Sequence, residues 1–299
     1  MTFKNITIAG SGVLGSQIAF QTAFHGYSVT LYDITDAALA KAKTTLLQLS
    51  KAFKTDLNAT EAQLEATFAN LKYSSNLTQA VKNADLLIEA IPENPKIKID
   101  FYQKLAAVAP QKTIFATNSS TLLPSEFAAA TGRPAQFVAL HFANEIWKHN
   151  TAEIMGHAGT STEVFEQTVA FAKSIGMLAL PLHKEQPGYI LNTLLVPLLN
   201  AATSLLVNQV ADVQTIDKTW MAATGAPMGP FGILDVVGIT TAYNINLMAA
   251  KTSNDPVKIK TVAYLKENFI DTHKLGVATS EGFYKYPNPA YKDKDFLKK

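Results

Sequence analysis

The stretch TIAGSGVLGSQIAF, positions 7–20, constrains the fold more than any other. Gly10, Gly12 and Gly15 stand in the GxGxxG spacing, which is common by chance, so the flanking residues decide its meaning. NITIAG is a short β-branched run entering the turn, and VLGSQIAFQTAFHGY is an amphipathic helical pattern leaving it. Strand, glycine turn and helix in that order form a dinucleotide-binding unit. Gly10 allows the tight turn, Gly12 lets the backbone approach a pyrophosphate, and Gly15 lets the helix pack closely on the strand. The helix start at Val13 and Leu14 offers unpaired N–H groups and a partial positive charge to phosphates. The next strand ends at Asp33, 18 residues after Gly15. A carboxylate there accepts from the ribose hydroxyls of NAD and repels the 2′-phosphate of NADP, and no arginine stands beside it. The sequence predicts NAD.

The first half of the chain repeats this alternation. Buried strands are expected at 5–10, 28–33, 84–91, 112–118 and 136–142, with helices at about 13–25, 36–54, 60–70, 95–109 and 124–131. Strands separated by helices imply a parallel sheet covered on both faces. Further strands at 151–157 and 178–183 bracket a helix at about 161–175. After Pro187-Gly188 the strand-like runs stop and the remainder reads as helices and loops. The expected architecture is therefore α/β: a Rossmann-type domain over 1–184 and an all-α domain over 185–299.

Bulk properties exclude several classes. A net charge of +2 without a basic stripe argues against a nucleic-acid partner. The absence of cysteine rules out disulfides and thiolate metal sites, suits a reducing cytoplasm, and leaves no metal expected. The apolar run at 189–210 is long enough to span a bilayer, yet Asn192, Asn200, Asn208 and Pro197 interrupt it. A helix buried in a core or a subunit interface, in a soluble protein without a membrane partner, is the expectation.

The ligand crevice of such a sheet lies beyond the carboxyl ends of its strands. His141 ends one apolar strand and Glu153 lies in the next. If these strands pair antiparallel about a connection centred near Trp147, the two residues fall opposite each other on one face. A carboxylate on one ring nitrogen would orient the imidazole and stabilise the imidazolium formed when the other takes a proton. His25, His149, His157, His183 and His273 have no comparable partner and read as structural or surface residues.

The stretches GSGVLGSQIA, LLIEAIPENPKIK, FATNSSTL, HFAN, AEIM, QPGYILNTLLVPLLNAA, GAPMGPFGILDVVGI and EGFYKYP together resemble the L-3-hydroxyacyl-CoA dehydrogenases over nearly the whole chain. The resemblance implies hydride transfer between NAD and the 3-hydroxyl of an acyl-CoA. It places His141 on the catalytic histidine, Glu153 on its partner and Ser120 on the serine that contacts the substrate hydroxyl. Asn192 would complete the site from the second domain, and Asn144 would support the histidine and the nicotinamide region. Glu93, Lys98 and Asn118 fall on candidate cofactor positions. A homodimer through the helical domain is implied as well.

Departures bear on the substrate. Where the family reads His-Phe-Phe-Asn-Pro, this chain has HFANEIWKHN, with Ala143 small, the proline absent, and Glu145 and Trp147 new. Thr193 replaces an arginine, and Ala278 stands where a lysine is common. Only Lys51 and Lys54 stand near the region that offers basic residues to the CoA phosphates. A free 3-hydroxy acid is therefore an alternative substrate, with Lys148 as its one obvious basic anchor. A non-catalytic NAD-binding protein is a third reading, opposed by the presence of His141, Glu153, Ser120 and Asn192.

Overall fold

The computed structural model describes residues 3–298 and divides into two compact units, one ending at Ile190 and the other beginning at Leu191. The sequence boundary near 185 falls a few residues earlier.

The first unit is built on an eight-stranded sheet of order β3-β2-β1-β4-β5-β6-β7-β8. Its strands are β1 (Asn5–Ala9), β2 (Ser28–Tyr32), β3 (Leu71–Ser74), β4 (Leu86–Glu89), β5 (Ile114–Thr117), β6 (Phe137–Phe142), β7 (Thr151–Met155) and β8 (Leu178–Leu182). All neighbours are parallel except β6 and β7. Between them run α1 (Val13–Phe24), α2 (Asp36–Leu57), α3 (Glu61–Ala69), α4 (Leu77–Val81), α5 (Pro95–Val108) and α6 (Thr162–Ser174). Successive strand residues feed opposite faces. Ile8, Ile88 and Ile114 join one core with Phe20, Phe53 and Phe171, while Ala9, Leu87 and Phe115 join another with Tyr102, Leu105 and Phe137. Helix starts carry their caps: Thr35 on α2, a Thr60–Gln63 capping box on α3, Asn94 with Pro95 on α5, and Ser161 on α6.

Two local expectations change. LKYS forms the edge strand β3, fixed by the Val29–Leu71 register rather than by any alternation of its own. The alanine-rich 124–131 stretch forms two short 3₁₀ turns, Pro124–Glu126 and Ala128–Thr131, instead of an α-helix. Just beyond them the Arg133 guanidinium donates to the carbonyls of Pro110, Thr113, Ala106 and Ala109. Those long-range bonds at the end of α5 hold the segment in a path that local propensity does not choose.

The second unit contains most of α7 (Tyr189–Val207), then α8 (Val213–Thr224), α9 (Pro230–Val237), α10 (Ile239–Ser253) and α11 (Pro256–Leu265). Leu199, Phe231, Leu234, Leu265 and Phe269 form its core. Two buried carboxylates organise it. Asp217 accepts from Phe231 N (2.9 Å), Gly232 N (3.1 Å) and Tyr284 OH (2.8 Å), so it satisfies the start of α9, which Gly229 cannot cap with a side chain. Asp235 accepts from Phe283 N and Tyr284 N (both 2.8 Å) and from Tyr286 OH (3.0 Å). Burial raises both carboxyls above their ordinary range against these bonds. GAPMGPFGILD and EGFYKYP are thus held together by Asp235, which lies in the first of them, and by Asp217 on α8. Among the described residues, α7 is long and apolar enough to cross a membrane, as the bent pair α9 and α10 would be if taken as one span.

Candidate active site

The glycine turn lies where β1 and β4 diverge in the strand order, the switch point at which such sheets bind ligands. Gly10 has φ 100, and a Cβ there would lie 2.4 Å from the carbonyl oxygen of Ala90. A Cβ on Gly15 would lie 1.9 Å from the carbonyl oxygen of Gly10, so α1 sits on the turn at a distance that excludes alanine. Gly12, by contrast, has nothing within 4 Å of where its Cβ would stand, and no side chain caps α1. The N–H groups at Val13 and Leu14 therefore border open space suited to a phosphate. Asp33 Oδ2 accepts from Ser11 N (2.8 Å) and Ser11 Oγ (2.6 Å), and Oδ1 from Ile34 N. These bonds hold its carboxylate over the rim of a cavity of about 580 Å³ lined by Gly10, Gly12, Asp33, Ile34 and Phe101 among others. Open turn, helix start, fixed carboxylate and apolar wall fit an adenine dinucleotide.

At the carboxyl end of β6, the register pairs His141 with Glu153. Both are nearly buried, at 5% and 3% exposure. His141 Nδ1 lies 3.0 Å from Glu153 Oε2, and His141 Nε2 lies 3.1 Å from Ser120 Oγ. A carboxylate can only accept, so the ring proton sits on Nδ1 and Nε2 is left as the basic nitrogen. Glu153 Oε1 also accepts from Ile190 N at 2.9 Å. The imidazole lies flat against Tyr189, with ring centroids 4.4 Å apart and planes 16° from parallel.

The loop carrying Ser120 is clamped from below. Glu93 Oε1 accepts from Ser119 Oγ, Ser120 N, Thr121 N and Thr121 Oγ1. Behind it, the fully buried ammonium of Lys98 bridges Glu89 Oε1 (2.6 Å) and Glu93 Oε2 (3.2 Å). Glu89, also fully buried, accepts further from Ile91 N, Tyr102 OH and Thr117 Oγ1. The resemblance puts Lys98 against the cofactor; here its ammonium is spent on two carboxylates and reaches the site through Glu93. Glu89 carried no sequence signal beyond being an acid inside an apolar strand.

Asn118 Oδ1 accepts from Phe142 N (3.0 Å) and ties the end of β5 to the end of β6. Asn144 Oδ1 accepts from Gln17 Nε2 (2.8 Å), and Gln17 Oε1 accepts in turn from Glu145 N (2.8 Å). Gln17, a buried amide on α1, was legible only as a polar residue on a core-facing position. Glu145 takes φ 56 in the segment where the family has its proline. Trp147 donates to Asp56 (2.8 Å) and packs on Phe53, and Lys148 pairs with Asp56 at 3.0 Å. Lys148 is thereby paired with a carboxylate near the end of α2. Asn192 belongs to the second unit, on α7, half-buried.

Residues 5–186 match the model of the 3-hydroxyacyl-CoA dehydrogenase NAD-binding domain, and residues 188–286 match the C-terminal domain of the same family. The chain is 34% identical over 289 residues to the mitochondrial hydroxyacyl-coenzyme A dehydrogenase of Homo sapiens, covering 95% of this chain and 91% of that protein. It is 30% identical to a probable 3-hydroxybutyryl-CoA dehydrogenase of Bacillus subtilis (strain 168), covering 96% and 98%. Among solved structures it is similar to a diketoreductase, described for substrate-directed dual catalysis of dicarbonyl compounds. That match has 53% identity, a TM-score of 0.91 and coverage of 96% and 100%. The (S)-3-hydroxybutyryl-CoA dehydrogenase of Ralstonia eutropha matches at 26% identity and a TM-score of 0.83, covering 96% and 100%. With an NAD-binding domain and a helical domain both matched, the chain belongs to the 3-hydroxyacyl-CoA dehydrogenase family, whose members are NAD-dependent oxidoreductases.

Proposed function

We propose that this protein interconverts 3-hydroxyacyl-CoA and 3-ketoacyl-CoA, with His141 as the acid–base group and NAD as the hydride partner. The observation that carries the reading is a buried imidazole whose Nδ1 is taken by Glu153 while Nε2 faces Ser120. Bound NAD supplies hydride acceptance during oxidation and, as NADH, hydride donation during reduction. In oxidation, Nε2 takes the hydroxyl proton of the substrate as its carbon gives up hydride, and Glu153 stabilises the resulting imidazolium. In reduction the same nitrogen returns the proton to the forming alkoxide. Ser120 Oγ, within hydrogen-bond reach of Nε2, holds the substrate oxygen beside it, and Glu93 keeps that serine in place. Asn144 supports the nicotinamide side of the site. Glycines 10, 12 and 15, with Val13, Leu14 and Asp33, hold the dinucleotide.

A second reading has specific support: the relative at 53% identity acts on dicarbonyl compounds rather than, in its description, on thioesters. The same dyad would reduce one carbonyl of a small dicarbonyl substrate. NADH oxidation with acetoacetyl-CoA, free acetoacetate and pentane-2,4-dione, in wild type and His141→Ala, separates the readings. Turnover confined to the thioester and lost in the variant supports the first; turnover of the free dicarbonyl alone overturns it for the second.

The protein is further proposed to be a soluble cytoplasmic homodimer. In the second unit, Leu194 on α7 and Met248 on α10 are 69% and 71% exposed, apolar surface that a second copy would cover. Light scattering after size exclusion tests this.

A further inference from the structure

Tyr189 is the last but one residue of the first unit and has no role in the reaction described above. It is 1% exposed, in the left-handed region at φ 55, directly after Gly188 at φ 78. For a bulky aromatic residue that backbone conformation is uncommon and costs on the order of 1 kcal/mol or more. Three interactions require it. The ring stacks on His141 at 4.4 Å, the hydroxyl donates to Ser119 O at 2.8 Å, and the next N–H, of Ile190, donates to Glu153 Oε1 at 2.9 Å. One dipeptide thus touches the imidazole, its orienting carboxylate and the backbone immediately before Ser120.

We infer that Tyr189 is a positioning residue for the acid–base step, fixing the plane of the His141 imidazole and locking it to the loop that carries Ser120; this rests on the function proposed above. Glu153 and Ser120 hold the two ring nitrogens but leave the imidazole free to rock about the line between them, because carboxylate and hydroxyl oxygens accept over a broad range of directions. Stacking against a buried ring removes that freedom, and the Ser119 bond keeps the ring from sliding. Burial, with the carboxylates of Glu153, Glu93 and Glu89 around it, keeps the phenol well above its ordinary range, so it remains a neutral donor and takes no proton from substrate. The charged groups that bear on the stacked pair are Glu153 on β7, Glu89 on β4, Glu93 before α5 and Lys98 on α5. None of them replaces the stack.

Tyr189→Met removes the ring at similar volume, and Tyr189→Phe keeps the ring but removes the bond to Ser119. Displacing a reacting group by about 1 Å costs on the order of 100-fold. Tyr189→Met is therefore expected to lose roughly 10- to 100-fold in kcat, with the KM for NADH unchanged and the pH profile of kcat displaced. Tyr189→Phe is expected to lose about threefold to tenfold with the wild-type pH profile, from one net hydrogen bond. Independently of turnover, the ¹⁵N resonances of His141, assigned by loss in His141→Gln, should titrate differently in Tyr189→Met. Wild-type kcat, pH profile and His141 titration in Tyr189→Met would overturn the inference. If that variant does not fold, undiminished kcat in Tyr189→Phe overturns the coupling to the Ser119 loop. Failure of the functional reading is distinguished because wild type would then show no turnover dependent on His141, while the ¹⁵N titration still reports on the stack.

Discussion

Ser120 Oγ stands 3.1 Å from Nε2 of His141, on the side of the ring opposite Glu153. The hydroxyl and the carboxylate therefore hold the two ring nitrogens in different chemical roles: one fixed as a donor, the other left to exchange a proton with substrate. His141→Ala should lower kcat by about 10²–10⁴-fold while NADH still binds, measured by steady-state kinetics beside fluorescence titration of NADH. Equal losses in kcat and in NADH affinity would point to a folding defect instead.

Glu153→Gln replaces an acceptor by an amide that can present its NH₂ group to Nδ1. The negative charge that strengthens the bond to an imidazolium is lost, along with the tautomer preference. A charge-assisted bond of about 1.5–3 kcal/mol corresponds to roughly a 10- to 100-fold fall in kcat. The check is the rate of NADH oxidation at saturating ketone; a variant at wild-type rate sinks the orienting role.

Asp33→Ala removes the carboxylate that Ser11 and Ile34 hold at the cofactor rim. Affinity for NADH should fall by about 10- to 100-fold, the worth of hydrogen bonds to a charged group. Preference over NADPH should shrink with it, since the charge that repels a 2′-phosphate is gone. Parallel titrations with the two reduced cofactors measure both effects.

Lys98→Met leaves Glu89 buried without its counter-charge. Breaking a buried pair in this way costs about 3–5 kcal/mol, and urea unfolding should show it as a lower midpoint. Adding Glu89→Gln to the same chain should recover part of the loss, because the uncompensated charge is then removed. Absence of any recovery would mean that Lys98 stabilises by packing alone.

Glu93 is held below the ordinary carboxyl value of 4.5. Burial works against this, but the Ser119 bond, the Lys98 charge and the Thr121 bonds outweigh it. A folded-state value below the unfolded one gives stability that is fully present above the ordinary value and is lost as pH falls through the lower folded value. The stability difference between wild type and Glu93→Gln should therefore stay constant from neutrality down to about pH 5, and close at lower pH. Urea midpoints across that range test the sign.

Much of this protein is written locally in its sequence. Gly10, Gly12, Gly15 and Asp33 announce a dinucleotide turn because strand, turn and helix are contiguous and each glycine answers a steric need of that turn. His141 and Glu153 were placed opposite each other by counting from Trp147, since antiparallel register follows from the midpoint of a short connection. The remainder depended on contacts far apart in the chain. Short LKYS became a strand because Val29 offered it an edge, and Arg133 overrode the helical preference of an alanine-rich stretch through four distant carbonyls. Lys148, in the turn between β6 and β7, meets Asp56 on α2, and Lys98 meets Glu89 and Glu93. A charged residue's identity states its valence, but which opposite charge it meets is settled only when the folded chain brings distant segments together. Tyr189 is the clearest case: nothing in QPGYILN states that its ring will lie on His141, because stacking is set by where two distant backbones converge.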